Sequence, residues 1–369
     1  MRFLVTGTAG FIGFHLARRL LEAGHTVAGV DGVTDYYDVG LKQARLARLA
    51  AAPGFSEHRF MLEEPGAFAA LMAEARPDVV VHLAAQAGVR YSLEHPEAYV
   101  AGNIVGTFQV LEGCRAYPVR HLLFASTSSA YGGNRTVPFR ETDRAVSPLT
   151  IYAASKLAGE AMAHSYAHLW RIPTTAFRFF TVYGPWGRPD MALFLFTRRI
   201  LAGEPIEVFD HGRAVRDFTY VDDLVESIAR LIDVPPPPPG AAPVSAADTL
   251  SSVAPYRLVN IGGGRPVTVA AMLDTLEAAL GRRAVRLLRD LPPGDVERTE
   301  ASTDLLRDLV GYVPATPIET GIPAFVRWYR GHHGGDPDHH GADADHHGAG
   351  PDRHGADPAR EGADPGSSP

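Results

Sequence analysis

The chain has 369 residues, of which 46% are hydrophobic and 21% charged, a balance typical of a soluble globular protein with a sizeable core. It contains no apolar run of transmembrane length, and its first residues lack the pattern of a signal peptide. The one cysteine, Cys114, excludes an intramolecular disulfide. We therefore expect a cytoplasmic protein that does not contact a membrane.

The net charge of −7 is concentrated at the carboxyl end, where residues 331–369 hold eight acidic residues and two arginines. The remainder is nearly neutral, which argues against a nucleic-acid partner. Residues 331–369 also repeat a His pair every seven residues and have no apolar face, so we expect this tail to be disordered. Paired histidines can bind a transition metal weakly, but we favour a repeat without a role and expect no metal site.

The first predicted unit begins with an apolar strand at residues 3–6, followed at once by glycines 7, 10 and 13. An amphipathic helix then runs to Gly24, and a second strand at residues 26–30 ends in Asp31. A strand, a glycine-rich loop, a helix, a strand and an acid predict a βαβ unit that binds a dinucleotide. A glycine-rich turn after a strand can be only a turn, but the full context favours the dinucleotide site.

The glycines and the acid each have a physical role in such a site. One glycine permits the tight turn, one lets backbone N–H groups approach a pyrophosphate, and one lets helix and strand pack closely. Asp31 lies where a carboxylate can accept hydrogen bonds from ribose hydroxyls, and it would repel a 2′-phosphate. We therefore expect NAD rather than NADP.

The alternation of strands and helices continues along the first half of the chain. Apolar strands are predicted at residues 78–85, 121–126 and 174–179, with helices at 97–115 and around Tyr152 between them. This order predicts an α/β fold with a doubly wound parallel sheet of the Rossmann type. We assign residues 1–183 to a NAD-binding domain to which some later segments return. Residues 53–68 are too weakly patterned to assign.

Residues 184–330 predict a smaller α/β lobe with shorter elements. We expect helices at 191–201, 221–232, 268–280 and 317–329, and strands at 206–209 and 258–262. Residues 234–255 are rich in proline, alanine and serine, and we interpret them as a surface insertion or linker.

Candidate catalytic groups follow the strand at 121–126. Tyr152 and Lys156 are four residues apart, which places them on one face of a helix. A nearby ammonium favours the phenolate, which is a general base, although this short motif alone is a weak signal. Thr127 follows the strand directly, and ligands bind at the carboxyl ends of parallel strands. Together with the glycine loop, these groups predict one redox crevice.

The chain resembles the extended short-chain dehydrogenase/reductases, specifically the NAD-dependent epimerases and dehydratases of nucleotide sugars. The likeness runs from residue 1 to about residue 329, apart from the Pro-rich segment. Within that family it is most similar to the UDP-glucuronate 4-epimerases, on the long matches at residues 35–38, 84–92, 178–191 and 216–223.

The resemblance implies a role for each matching residue. Tyr152 would exchange the proton of the sugar 4-hydroxyl, Lys156 would lower the pKa of Tyr152 and hold the nicotinamide ribose, and Thr127 would bond the same oxygen. A hydride would leave carbon 4 for NAD and return to the opposite face. The residues expected to hold NAD are Gly7, Gly10, Phe11, Ile12, Gly13, Asp31, Ala84, Ala85 and Asn103, with Tyr152 and Lys156.

The resemblance also implies a UDP-sugar substrate and a homodimer. Arg216 and Asp295 would contact the uridine diphosphate, and Thr181 and Arg188 the glucuronate carboxylate, which would otherwise be lost as carbon dioxide from the 4-keto intermediate. The remaining substrate-side positions are Arg90, Ser128 and Ser129.

Three alternatives stay open: a 4-epimerase of a neutral UDP-sugar, a dehydratase or decarboxylase, and a non-catalytic NAD-binding protein. Dehydratases and decarboxylases of this family carry acids just after the threonine, whereas this chain has Ser128 and Ser129. Two positions depart from the family pattern on the adenosine side. Gly32 replaces the usual asparagine, and Met61 replaces an aspartate.

Overall fold

The computed structural model describes residues 1–291 and 296–334. The His-rich repeat, apart from its first pair, and Asp295 lie outside the described residues.

A parallel sheet of seven strands organises the structure and confirms the predicted fold class. The strand order is β10-β6-β5-β4-β1-β2-β3, so the chain changes direction across the sheet between β1 and β4. Ligands bind at the carboxyl ends of the strands next to such a switch point. The strands are β1 (Arg2–Thr6), β2 (Thr26–Val30), β3 (Phe55–His58), β4 (Val79–His82), β5 (His121–Thr127), β6 (Thr174–Phe179) and β10 (Tyr256–Ile261).

Helices cover both faces of this sheet, because its central strands are apolar on both sides. One face packs against α1 (Phe11–Glu22), α2 (Val39–Ala50), α9 (Val221–Ile232) and α11 (Asp304–Val310). The other packs against α3 (Ala67–Ala75), α6 (Gly106–Ala116) and α7 (Ile151–Trp170). Two short helices, α4 (Tyr91–Glu94) and α5 (Pro96–Tyr99), lead into a π-helical segment, Val100–Val105.

The later part of the chain forms a second apolar cluster. Its helices are α8 (Ala192–Ala202), α10 (Val269–Leu280) and α12 (Ile318–His333). Strand β8 (Ile206–Phe209) pairs with β12 (Arg286–Arg289), and β9 (Val215–Tyr220) lies between β7 (Thr181–Tyr183) and β11 (Pro266–Thr268). No helix in the described part of the chain is both long and apolar enough to cross a membrane.

The predicted elements are confirmed to within a few residues, apart from one helix, and the structure adds elements that were not predicted, among them α2, α11, β9 and β12. The predicted helix at 97–115 is divided, since the π-helical segment separates α5 from α6. The unassigned residues 53–68 contain β3 and the start of α3. The strand β3 lies at the edge of the sheet and is only partly buried, so it lacks the continuous apolar pattern of its neighbours.

The Pro-rich segment joins α9 to β10 as coil and packs closely against the edge of the sheet. Asp248 and Arg257 form an ion pair whose side chains are almost completely buried. The same carboxylate accepts hydrogen bonds from the backbone N–H groups of Val244 and Leu250. The acid therefore folds the segment around a side chain of β10.

Replacing this acid tests whether the segment is part of the folded structure. Asp248→Ala leaves Arg257 buried without its counter-ion, which should lower the free energy of unfolding by about 3–5 kcal/mol. Urea titration of the variant measures the change. The control is Asp290→Ala, which removes an exposed carboxylate and should change stability little. Equal stability of the two variants would contradict the packing described here.

Candidate active site

The glycine loop lies so close to neighbouring backbone that side chains are excluded. A Cβ on Gly13 would lie 2.0 Å from the carbonyl oxygen of Gly7, and one on Gly10 would lie 2.9 Å from the same atom. Gly7 has a φ of +81°, and its Cβ would lie 2.9 Å from the nitrogen of Ala84. The loop is therefore a bare backbone cradle at the switch point between β1 and β4.

Helix α1 begins at this cradle and presents its amino end to it. No side chain caps the helix at Gly10, so its first N–H groups stay available to an anion. Phe11 is buried and Ile12 is half-buried at this first turn. Bare backbone and an uncapped helix end are the features that a pyrophosphate needs, so the residues present fit NAD.

Asp31 is held in place by two backbone N–H groups. One carboxylate oxygen accepts from Ala9 (2.9 Å) and the other from Val33 (2.8 Å). Each oxygen can still accept a further hydrogen bond. The acid expected to meet a ribose therefore also fixes the glycine loop.

The two departures on the adenosine side form one packing unit. A Cβ on Gly32 would lie 2.2 Å from the sulfur of Met61. The thioether thus occupies the space of a side chain at position 32. The sequence does not relate Gly32 to Met61, because their contact arises only when the loops after β2 and β3 meet.

Tyr152 lies in the first turn of α7, which Thr150 caps by accepting from the backbone N–H of Ala153. Burial raises the pKa of the Tyr152 phenol, while the Thr127 hydroxyl and the charge of Arg188 act to lower it. Both groups therefore favour the phenolate, although Arg188 lies far along the chain from Thr127.

Lys156 is buried one turn further along α7. Its ammonium lies 4.7 Å from the ring centre of Phe124, and burial lowers its pKa to about 8 against the opposing charge of Glu160. The expectation that Lys156 lowers the pKa of Tyr152 stays a prediction.

Asn103 connects the loop after β4 to α7. Its side chain bonds the backbone N–H and carbonyl of Gln86 (2.7 and 3.0 Å) and donates to the hydroxyl of Ser155 (2.9 Å). That hydroxyl donates to the carbonyl of Tyr152 (2.8 Å). Asn103 lies in the π-helical segment, an irregularity that often marks functional sites. Ala84 and Ala85 precede this bonded loop, and sequence reasoning missed Gln86 and Ser155.

Ser128 and Ser129 follow Thr127 in a single 3₁₀ turn. The Thr127 hydroxyl accepts from the backbone N–H of Ser129 (3.2 Å), and both serine side chains are half-buried. No carboxylate stands at these two positions.

Arg188 is already paired with an acid that sequence reasoning did not single out. Its Nε donates to Asp190 (3.0 Å), its Nη2 forms the second bond of a bidentate pair, and Tyr36 donates to the same carboxylate (3.0 Å). Burial opposes the charge, but Asp190 raises the pKa of Arg188 above its usual value. Thr181 and Arg188 line one small cavity, of about 40 Å³, which also includes Phe11 of the cofactor loop.

The remaining substrate-side positions are more dispersed. The exposed Arg90 guanidinium lies 4.6 Å from the ring centre of Phe209. Arg216, on β9, donates to the carbonyls of Val215 and Glu297. Asp295 lies outside the described residues, so its relation to Arg216 stays a prediction. Among the residues described, no group of three or more His, Cys, Asp or Glu is arranged to hold a metal ion.

Comparison with known proteins supports the same kind of site. Residues 3–240 match the NAD dependent epimerase/dehydratase family. The chain is 55% identical over 330 residues, which is 89% of this chain and 97% of the relative, to a probable UDP-glucuronate 4-epimerase of Rhizobium meliloti. It is 44% identical to UDP-glucuronate 4-epimerase 1 of Arabidopsis thaliana, over 90% of this chain and 77% of that protein.

A solved structure shares the fold across nearly its full length. The UDP-glucuronic acid 4-epimerase of Bacillus cereus, in complex with UDP-glucuronic acid and NAD, superposes with a TM-score of 0.80 at 31% identity. The match covers 90% of this chain and 99% of that one.

Proposed function

Because the chain belongs to the NAD dependent epimerase/dehydratase family, we propose that it interconverts UDP-glucuronate and UDP-galacturonate by inverting carbon 4 of the sugar. One observation carries the proposal: Asn103 bonds the helix of Tyr152 to the loop that lies against Gly7, and Arg188 lines a cavity together with Phe11 at the start of α1. A proton-transfer group and a carboxylate-binding cation are thereby combined at the end of a nucleotide-binding sheet.

The cofactor would lie along the glycine cradle, held by Gly7, Gly10, Gly13 and Asp31. When bound, NAD accepts a hydride from carbon 4 and returns it to the opposite face, so the enzyme is an isomerase without net redox change. Asn103 keeps the loop after Ala84 and Ala85 in place next to α7.

The chain's own acid–base chemistry centres on Tyr152, which would take the proton of the sugar 4-hydroxyl and later return it. Burial disfavours the phenolate, so the positive charge of Arg188 and the Thr127 hydroxyl assist its formation. Ser128 and Ser129 cannot remove a proton from carbon, and this favours return of the hydride over dehydration.

Arg188 would protect the intermediate. A 4-keto glucuronate is a β-keto acid: its carboxylate can leave as carbon dioxide, while the bonding electron pair stays on carbon 5 and then takes a proton. A bidentate guanidinium holds the carboxylate near the ring plane and prevents the required rotation. Asp190 binds this guanidinium, so we propose that the substrate carboxylate shares or exchanges with it.

The second candidate is a 4-epimerase of a neutral UDP-hexose, and the Arg188–Asp190 pair favours it to a degree. With its own counter-ion, Arg188 is not left as an isolated buried charge when the sugar carries no carboxylate. Arg188→Ala distinguishes the two, since it should lower the turnover of UDP-glucuronate far more than the turnover of a neutral UDP-hexose.

Product separation after incubation with UDP-glucuronate tests the proposed reaction. We expect UDP-galacturonate, and Tyr152→Phe should reduce turnover by about 10²–10⁴-fold because the proton-transfer group is lost. Formation of UDP-pentose alone would contradict an epimerase. Full activity of Tyr152→Phe would remove Tyr152 from the chemistry and would favour the non-catalytic alternative for this site.

The pKa of Lys156 predicts an alkaline limit to activity. The ammonium is charged below a pKa of about 8, so kcat/KM should fall as the pH rises through that value, if its charge is needed. A profile from pH 6 to 10 measures this. Any activity that remains in Lys156→Arg should lack the alkaline fall, since arginine stays charged throughout. A wild-type rate still rising above pH 9 would contradict the assignment.

We further propose a cytoplasmic homodimer built on α6, α7 and the π-helical segment. Val105 and Phe108 are exposed on one face of this region, and Ile151 is exposed at the start of α7. Apolar helix faces of this kind pair readily about a two-fold axis. Sedimentation velocity should show a dimer for the wild type and a monomer for Phe108→Glu, whereas Leu288→Glu, on the exposed β12, should remain dimeric. A wild-type monomer would overturn the proposal.

A further inference from the structure

Arg45 is a buried cation that the chemistry above does not use. It lies on α2 and is completely inaccessible to solvent. Its Nη1 donates to the carbonyl of Ala9 (2.8 Å) and to the hydroxyl of Tyr37 (2.8 Å). Its Nη2 donates to the carbonyls of Trp186 (2.6 Å) and Gly187 (3.3 Å). One planar group therefore binds two segments that are far apart in the sequence.

The charge of Arg45 has no acidic partner among the residues that the structure describes. Its acceptors are carbonyls and a phenol, and its Nε, also buried, donates to no acceptor. An unpaired buried charge is unfavourable, so neutral acceptors alone compensate it poorly. Burying the Arg45 guanidinium in this way therefore costs free energy, and a residue that only filled space would not need the charge.

Both segments held by Arg45 belong to the proposed ligand sites. Ala9 is part of the glycine cradle, and its N–H is bonded to Asp31. Trp186 and Gly187 immediately precede Arg188. The carbonyl before them, that of Pro185, is bonded to Nε2 of His15 on α1 (2.9 Å). Three successive carbonyls of the Arg188 loop are therefore held by the two helices that flank the cofactor cradle.

The Arg188 loop needs this support because its backbone is strained. Trp186 has a φ of +61°, a left-handed conformation that is unfavourable for a large side chain. Its ring is buried against Phe14 of α1, with centroids 5.4 Å apart. Hydrogen bonds from Arg45 to the carbonyls of Trp186 and Gly187, which lie on either side of the Gly187 α-carbon, stabilise a conformation that the loop would not otherwise keep.

We infer that Arg45 is a positioning residue that couples the cofactor cradle to the loop carrying Arg188. This inference rests on the proposed function, because Arg45 would orient the Arg188 guanidinium, which would hold the substrate carboxylate. The carbonyls of Ala9, Trp186 and Gly187 all accept hydrogen bonds from the same planar guanidinium. The conformation of the glycine cradle therefore restrains the conformation of the Arg188 loop. The charge of Arg45, which forms no ion pair among the described residues, also adds to the positive potential around a bound pyrophosphate.

Two measurements on Arg45→Met test the coupling. Affinity for NAD, measured by calorimetry on the cofactor-free protein, should fall about tenfold because the cradle loses a charged donor. The ratio of UDP-pentose to UDP-galacturonate should rise several-fold, since a loosened Arg188 restrains the β-keto carboxylate less. A residue with only a structural role would lower the amount of folded protein without changing this product ratio.

Arg48→Met is the matched control, because Arg48 lies one turn further along α2. Its guanidinium is exposed and lies 4.8 Å from the ring centre of the same Trp186, but it donates no hydrogen bond to either loop. Its NAD affinity and product ratio should match the wild type. Arg45→Lys keeps the charge but not the fork, so it should recover part of the NAD affinity while the product ratio stays raised.

If Arg45→Met does not fold, Tyr37→Phe decides instead. This variant removes one acceptor of Nη1 and should change NAD affinity and product ratio in the same direction, by a smaller factor. The coupling would be overturned if a folded Arg45→Met showed the NAD affinity and the product ratio of the wild type. If only Tyr37→Phe folds, wild-type values in that variant would overturn it. If the wild type does not act on UDP-glucuronate, the proposed function fails, while the NAD affinity of Arg45→Met still tests the link to the cradle.

Discussion

The close approach of backbone at the switch point of the sheet is the constraint on which the rest of the site depends. Gly7 passes so near Ala84 that no side chain fits between them, and the loop after β4 is held there by the Thr6 hydroxyl, which accepts from the N–H groups of Leu83 and Ala84. Asn103 continues the connection from this loop to α7. The glycine loop and α7 are thus joined through hydrogen bonds of the Thr6, Asn103 and Ser155 side chains, which leave little freedom for either to move.

Buried charge gives the site its second level of organisation. Glu160 binds Arg178 bidentately and also acts on Lys156, while Asp190 binds Arg188. Arg45 differs, because neutral acceptors surround it. Paired cations can be kept at low cost until a ligand competes for them, whereas an unpaired one biases its surroundings toward anions. The contrast is consistent with Arg188 meeting the substrate directly and Arg45 acting through backbone.

Much of this architecture follows from local patterns. Glycine spacing after an apolar strand predicts the cradle because the physical requirement, bare backbone beside a helix end, is met within a few residues. The seven parallel strands are predictable for the same reason, except β3, whose edge position removes the apolar pattern. Thr127, Tyr152 and Lys156 could be proposed together because strand ends and helix faces have simple geometry. By contrast, the π-helical turn that places Asn103 leaves no clear mark in the sequence.

The sequence by itself determined the fold class and the choice of cofactor, and it predicted the group that would transfer the proton, since each depends on local patterns. Only the tertiary structure decided what surrounds those groups. It brought Tyr36 to Asp190, the partner of Arg188, Met61 to Gly32, and Arg45 to both ligand loops. Such contacts join residues dozens of positions apart, and their geometry is set by packing of helices on the sheet, which no local pattern encodes.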